Sequence, residues 1–87
     1  MERNTKLVPQ PRASEILLEQ KTQLYDDVKT GLVTPPVKIG KRAVAWPEHE
    51  LHAINAAKIA GKTEAEIKTL VQRLVKERAQ LADRVAA

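Results

Sequence analysis

Apolar residues recur at helical spacing in several parts of this 87-residue chain, and one such part leads directly into an alternating pattern. Leu24, Tyr25 and Val28 lie on one face of a helix. Gly31 follows at the position where helices commonly end with a residue in the left-handed conformation. The pattern therefore predicts a helix that ends at Thr30.

The segment after this helix changes to a period of two. Pro35 and Pro36 are incompatible with a helix interior, and residues 37–39 and 44–46 follow the spacing of strands. The sequence therefore predicts a β-hairpin whose loop is formed by residues 40–43.

The register of this hairpin is predicted from its apolar side chains. With a loop of residues 40–43, Ile39 pairs with Val44 and Val37 pairs with Trp46. All four apolar side chains then lie on one face of the hairpin. Lys38 points to the opposite face.

The region before this hairpin and its helix allows two interpretations. Ser14 is a suitable N-cap for a first helix or helical turn that ends near Lys21. A single helix over residues 15–30 would also keep an apolar stripe, through Leu17 and Leu24. The sequence leaves open whether one helix or two form here.

Two helices are predicted in the second half of the chain. Pro47 suits the first turn of a helix and Gly61 supplies a stop, so the third helix is expected from Pro47 to Ala60. Its inward stripe consists of Leu51, Ile54 and Ala57.

The last predicted helix begins with a capping box formed by Thr63 and Glu66, and it extends from Glu64 to about Val85. Its apolar stripe is longer than a small monomer can easily cover. The stripe consists of Ile67, Leu70, Val71, Leu74, Val75, Leu81 and Val85. It predicts either a homodimer interface, formed by the first six of these residues, or packing of its first half over the hairpin and the third helix.

The composition limits the class of protein. A chain of 87 residues is too small for an enzyme that must both fold and enclose a substrate, and the absence of cysteine excludes disulfides and thiolate metal sites. No apolar run has the length of a signal peptide core or a membrane span. We therefore expect one small cytoplasmic domain without a membrane contact.

Catalytic and metal-binding patterns are not found. His49 and His52 stand near Glu48 and Glu50, but they do not form the His-Glu-x-x-His pattern of a zinc site. We interpret them as the surface of a helix. No glycine-rich phosphate loop and no nucleophile with a neighbouring base appears, so neither enzyme activity nor a cofactor is predicted.

Positive charge is concentrated in the centre of the chain. The net charge of +4 results from 15 Lys and Arg against 11 Asp and Glu. Residues 64–87 are nearly balanced, with five basic and four acidic side chains, whereas residues 28–47 carry four cations and no carboxylate. A segment of this kind favours an anionic partner.

The hairpin and the helix before it combine groups that suit double-stranded DNA. Amide and hydroxyl side chains at the start of the helix can reach base edges, and the cations can bind phosphates. The candidate DNA-binding residues are Gln20, Lys21, Thr22, Gln23, Lys29, Lys38, Lys41 and Arg42. A charged hairpin that only keeps the protein soluble is the alternative.

Two motifs in this region resemble the AlpA family of phage and prophage regulators, which are small winged-helix proteins related to excisionases. The first is Thr22-x-Leu24-Tyr25-x-x-Val28-x-x-Gly31, and the second is the run Pro-Val-Lys-Ile-Gly-Lys-Arg-Ala-Val-Ala-Trp-Pro over residues 36–47. The resemblance covers about residues 14–60 and is most specific in residues 36–47.

The resemblance implies a mainly α protein with one small β-hairpin, namely a winged helix-turn-helix of the excisionase or MerR type, followed by a long C-terminal helix. The helix over residues 22–30 would enter the major groove, and the wing around residues 40–42 would reach the neighbouring backbone or minor groove. The implied function is transcriptional regulation of a prophage or integrated element, or action as an excisionase, that is, a recombination directionality factor.

The chain departs from the family in two respects. Members usually have a Thr-Gly-Leu-Ser-like turn before the recognition helix, whereas residues 15–25 contain no glycine, so the first helix and its turn are expected to be shortened or replaced. Asp26 and Asp27 stand where the family commonly has a basic residue, and phosphates repel carboxylates. These two side chains either accept hydrogen bonds from cytosine N4 or face solvent or a basic neighbour.

Three parts of the chain are expected on this basis. Residues 1–12, which are basic and contain Pro9 and Pro11, form a flexible arm that is either a disordered tail or a segment along the DNA backbone or minor groove. Residues 13–62 form the DNA-binding domain, and residues 63–87 the C-terminal helix. The alternative function is a non-enzymatic adaptor that docks onto a partner protein through the exposed stripe of that helix.

Overall fold

The computed structural model describes the backbone of residues 5–86 and the side chains of residues 5–84. In this part the chain is mainly helical, with a small antiparallel sheet of three strands. The elements in chain order are β1 (Leu7–Val8), α1 (Gln10–Leu17), α2 (Lys21–Thr30), β2 (Val37–Lys38), β3 (Val44–Pro47), α3 (Glu48–Ile59) and α4 (Glu64–Ala86).

The sheet has the order β1-β3-β2, so β3 is the central strand. β1 pairs with β3 through Leu7 opposite Pro47 and Val8 opposite Trp46. The pairing continues beyond the strand, because the Glu48 amide donates to the Lys6 carbonyl at 2.8 Å. The strand before the first helix thus covers the edge of the hairpin that the sequence pattern left open.

The predicted hairpin is present, but its predicted register is wrong by one residue. Val37 lies opposite Ala45 and Lys38 opposite Val44, and the Ile39 amide donates to the Ala43 carbonyl at 3.0 Å. The prediction assumed a strand with one covered face.

β3 is instead covered on both faces, since three consecutive residues, Ala45, Trp46 and Pro47, are all buried. Alternation therefore does not determine which side chains share a face with Trp46. Ile39, which was expected beside Val44, is more than half exposed, at 54%.

The predicted N-terminal arm is wrong for residues 7–12, while residues 1–4 lie outside the described part. Val8 is buried in β1, and α1 begins at Gln10 with Pro9 as its N-cap and Pro11 in its first turn. Prolines interrupt a helix interior but suit a first turn, where their missing N–H has no partner to lose. Ser14, the predicted N-cap, lies inside α1 and accepts a hydrogen bond from the Gln10 side chain at 2.7 Å.

Two helices rather than one form over residues 10–30, and the turn between them is tight. α1 ends at Leu17, and Leu18 adopts the left-handed conformation with φ of 54°. The amides of Leu18 and Glu19 donate to the carbonyls of Glu15 and Ser14, at 3.2 and 3.0 Å. A helix and a tight turn therefore precede α2 without a glycine, because Leu18 adopts the left-handed conformation that glycine usually supplies.

Leu18→Gly is expected to raise the free energy of unfolding by about 1 kcal/mol, because a left-handed conformation strains any residue with a Cβ atom. The Leu18 side chain is 91% exposed, so little packing is lost. Urea denaturation would measure the change, with Leu18→Ala as the control that retains the Cβ atom. A glycine variant less stable than the alanine variant would contradict this explanation.

The ends of the other helices agree with the sequence patterns. α2 ends at Thr30, and Gly31 has the left-handed φ of 87°. α3 lies one residue inside each predicted bound. The capping box is formed as predicted: the Glu66 amide donates to the Thr63 hydroxyl at 3.2 Å, and the Thr63 amide donates to the Glu66 carboxylate at 2.9 Å.

One hydrophobic core joins all four helices and the strands β1 and β3. Its buried members are Val8, Ala13, Leu17, Leu24, Val33, Trp46, Leu51, Ile54, Ile67, Val71 and Leu74. A further link is polar, because the Asn55 side chain on α3 donates to the Ile16 carbonyl near the end of α1 at 2.7 Å.

The long stripe of α4 packs within the chain. Ile67, Val71 and Leu74 are buried against the core, and Leu70 is partly buried beside them. Val75 is 37% exposed. The predicted homodimer surface is therefore wrong for the first half of the helix, because its large side chains are buried in the core of the same chain. The alternative prediction, packing of this half within the chain, agrees with the structure.

α4 is also bound to the body of the protein by an ion pair between the partly exposed Arg78 and a buried carboxylate. Arg78 Nε and Nη2 donate to the two carboxylate oxygens of Glu50 at 2.8 and 2.7 Å, and Nη2 also donates to the Pro35 carbonyl at 2.7 Å. Glu50 is fully buried. Within the described residues, no helix combines the length and the hydropathy needed to cross a lipid bilayer.

Candidate nucleic-acid interface

The first turn of α2 brings together four of the candidate residues. These four residues, which are all exposed, are Gln20, Lys21, Thr22 and Gln23. Gln20 is the N-cap but makes no capping hydrogen bond through its side chain, and the first turn contains no acidic residue. The positive end of this helix is therefore free of the carboxylates that α3 and α4 place in their first turns.

Gln23 has a structural contact within α2. Its side-chain nitrogen donates to Asp27 Oδ1 at 2.8 Å, one helical turn further on. Asp27 is buried, with 8% of its surface exposed. The expectations that Asp27 contacts a base or faces solvent are thus wrong, because its carboxylate is buried, accepts from Gln23 and lies beside the carboxyl of Glu19.

The remaining candidate cations lie on α2 and on the hairpin. Lys29 is in the last turn of α2, Lys38 is on β2, and Lys41 and Arg42 lie in the loop of residues 40–42, hereafter the basic loop. All four are exposed. Among residues 5–84, no carboxylate lies within 4.0 Å of any of them or of Lys21.

Other unpaired cations exist, but acidic residues are interleaved with them. Lys62, Lys68, Lys76 and Arg84 lie in or near α4, which also carries Glu64, Glu66, Glu77 and Asp83. The basic loop and its flanking strands have no such neighbours in sequence. The unbalanced positive charge predicted for the hairpin is thus also unpaired within the described fold.

An aromatic contact joins α2 to the strand that supports the basic loop. The rings of Tyr25 and Trp46 meet edge to face, with centroids 5.8 Å apart. Trp46 is fully buried, and its indole nitrogen donates to the Thr34 carbonyl at 2.8 Å. β3 begins at Val44, two residues after Arg42, so the strand that carries Trp46 follows directly on the basic loop. The strand that leads into the basic loop therefore also contacts α2.

The turn before α2 contains a buried carboxyl group, that of Glu19, which the sequence patterns did not indicate. Glu19 forms an ion pair with Lys58 of α3 at 3.4 Å, and its Oε1 atom is buried without a hydrogen-bond donor among the described residues. Burial and the neighbouring Asp27 carboxyl raise the pKa of Glu19 to about 7, although the Lys58 ammonium opposes this rise. A protonated Glu19 would satisfy the pair by donating to Asp27.

This shift makes stability depend on pH. Because the pKa of Glu19 is about 7 in the folded protein and 4.5 in its reference state, the folded protein holds the proton more tightly. The stabilisation is complete below pH 4.5 and is lost as pH rises through 7.

Glu19→Gln, which keeps a donor and cannot ionise, is expected to be more stable than the parent at pH 8. The gain should be on the order of 1–2 kcal/mol, since solvent screening reduces the full effect of the shift. The difference between the two proteins should vanish near pH 4.5. Urea denaturation at both pH values would measure it, and a difference independent of pH would contradict the assignment.

The histidines show no sign of a metal site. His52 is exposed and lies 3.9 Å from Glu48. His49 is partly buried, and its Nδ1 atom has no hydrogen-bond partner in the described structure. Among the residues whose placement is described, no group of three or more potential metal ligands occurs.

Comparison with known proteins adds no assignment: no protein-family model, curated protein or solved structure matches this chain. The resemblance to the AlpA family thus remains a prediction from the two motifs in residues 22–47.

Proposed function

We propose that this protein is a DNA-binding regulator of the AlpA type with a winged helix-turn-helix. In this proposal α1, the turn at residues 18–20 and α2 form the helix-turn-helix, and the basic loop is the tip of the wing. The protein acts on the genes of a prophage or integrated element, either as a transcriptional regulator or as an excisionase. The order α1, α2, β2, β3 supports the proposal.

The observation that carries the proposal is the position of the unpaired cations. Lys41 and Arg42 lie in a loop that leads into a buried strand, and α2 contacts the same strand through the rings of Tyr25 and Trp46. Exposed cations without intramolecular partners suit phosphates, which attract them without sequence preference. Phosphate contacts of this kind can position a neighbouring helix against base edges.

α2 is the element proposed to enter the major groove. Its first turn presents Lys21 and Thr22 together with backbone amides that no side chain caps. Such amides and the helix dipole favour a phosphate oxygen. The outward face of the helix continues through Asp26 and Lys29, which are both exposed. Phosphate contacts at both ends would thus position this face against base pairs.

The adaptor alternative has less support from the fold. It requires the apolar stripe of α4 to be exposed, yet Ile67, Val71 and Leu74 are buried in the core of the same chain. The surface expected to bind a partner protein is therefore already occupied in its first half.

Replacement of both Lys41 and Arg42 by alanine is expected to weaken binding to every duplex, because phosphate contacts carry no sequence information. The slope of log K against log salt concentration should fall by roughly one unit for each cation removed. Titrations of a random-sequence duplex at several salt concentrations would measure this. Lys76→Ala is the matched control, because Lys76 is an exposed and unpaired cation on α4.

The outcome distinguishes the proposal from simple charge effects. If Lys76→Ala lowers the salt slope by as much as the double loop variant does for each cation removed, the basic loop has no special role in binding. If the double variant binds all duplexes as tightly as the parent, the hairpin is not a DNA-binding wing and the adaptor reading takes its place.

A further inference from the structure

The outward face of α2 has a carboxylate at its centre. Thr22, Asp26 and Lys29 are spaced four and three residues apart, so they lie along one stripe of the helix, and all three are exposed. Leu24 and Asp27, on the opposite side, are buried. Asp26 is therefore the middle residue of the face that the proposed function directs towards base pairs.

Asp26 has no partner within the described fold. Its side chain takes part in none of the hydrogen bonds or ion pairs between the side chains of residues 5–84, although Lys29 follows it by three residues. Asp27 contrasts with it, because that carboxylate is buried and accepts a hydrogen bond from Gln23. Folding thus accounts for Asp27 but leaves Asp26 without an intramolecular role.

A carboxylate at the centre of a DNA-binding face needs a hydrogen-bond donor. Phosphates offer none and repel it, so Asp26 reduces affinity for DNA in general. In the major groove the amino groups of cytosine and adenine are the donors of the base edges. Adenine also presents its N7 acceptor beside that amino group, which disfavours a carboxylate, whereas cytosine presents the donor alone.

We propose that Asp26 accepts a hydrogen bond from the N4 amino group of a cytosine and thereby determines the sequence specificity of this protein. The proposal rests on the proposed function, since it requires α2 to lie in the major groove. Lys29 lies about 4.5 Å further along the helix axis, at the α-helical rise per residue. Its ammonium, on the same exposed face, attracts a neighbouring phosphate.

The test is selection of bound sequences from a library of random duplexes, carried out with the full chain, Asp26→Ala and Asp26→Asn. The parent is expected to enrich a motif with one fixed cytosine. Asp26→Ala should lose about 5- to 150-fold discrimination at that position and no other, which is the range of one base contact. It should also bind a single random duplex more tightly, because a repelling charge is removed.

Asp26→Asn provides the sharper result. Asparagine pairs with the N6 and N7 atoms of adenine, so the fixed cytosine should become adenine in the motif that this variant enriches. Asp83→Asn is the matched control, because Asp83 is an exposed aspartate on α4. It should leave both the motif and the affinity unchanged.

The outcomes separate this assignment from the proposed function. If the parent enriches a motif that all variants share, or if the position altered by Asp26→Ala is not cytosine, Asp26 is not the specificity residue, although DNA binding stands. If the parent enriches no sequence and the double loop variant binds a random duplex like the parent, both proposals are wrong.

Discussion

Arg78→Ala is expected to lower the free energy of unfolding by about 3 kcal/mol, the lower end of the range for removing one partner of a buried ion pair, because Arg78 itself is partly exposed. Arg78 makes two hydrogen bonds to Glu50 and one to the Pro35 carbonyl. Because Glu50 is fully buried, its carboxylate cannot recover these contacts from water. The substitution leaves a charge in the interior and removes the hydrogen bonds from this part of α4 to α3 and to the loop before β2.

Urea denaturation of the parent and the variant would measure this loss. Arg73→Ala is the matched control, because Arg73 is exposed and pairs with Glu77 on the same helix at 3.9 Å. That variant should change stability by no more than about 0.5 kcal/mol. Equal effects of the two substitutions would show that the pair of Arg78 with Glu50 has no special role.

A double substitution of this pair separates the net contribution of the ion pair to stability from the destabilisation caused by leaving one charge unpaired. Replacing Glu50 and Arg78 together by methionine should restore much of the stability lost in Arg78→Ala, because no unpaired charge then remains. The Pro35 carbonyl would still lose its donor. A double variant less stable than Arg78→Ala would indicate that packing, and not charge, dominates at this position.

Trp46→Ala is expected to destabilise the protein by about 3–5 kcal/mol, the usual cost of truncating a large buried aromatic side chain. Trp46 is fully buried on the central strand, lies opposite Val8 of β1 and contacts the ring of Tyr25. The loss of the side chain would leave a cavity between the strand and α2. It would also leave the Thr34 carbonyl without its donor.

Thermal and urea unfolding of Trp46→Ala would test this expectation, with Trp46→Phe as the comparison. Phenylalanine retains an aromatic ring in the cavity but cannot donate to Thr34, so its cost should be clearly smaller. Unchanged stability of the alanine variant would mean that Trp46 is exposed in solution. In that case the contact between Tyr25 and Trp46, which joins α2 to β3, would not exist.

The candidate site was predictable in part from the sequence. The exposed positions of the cations on the hairpin agree with a segment that contains no carboxylate over residues 28–47. The sequence did not indicate that Glu19 lies beside Asp27 and Lys58, because the latter is 39 residues away. It also did not separate Asp26 from Asp27, since only their positions around α2 show that one is exposed and the other buried.

What the sequence by itself determined about this protein is the local geometry of its helices. Gly31 and the pair of Thr63 with Glu66 mark helix ends correctly, because caps depend on φ angles and hydrogen bonds within a few residues. Leu18 is the exception, because its left-handed φ of 54° costs energy that only the packing of α1 against α3 and β3 can offset.

The tertiary structure alone decided the pairing of the strands and the partners of the apolar and charged side chains. The predicted register of the hairpin was wrong by one residue because β3 is buried on both faces, which removes the information in alternating positions. The apolar stripe of α4 could pack against a second chain or against the core of its own chain, and the structure shows the second arrangement. Glu50 binds Arg78, which is 28 residues away in the sequence. Such choices depend on contacts between residues distant in sequence, and no local pattern encodes the energy of those contacts.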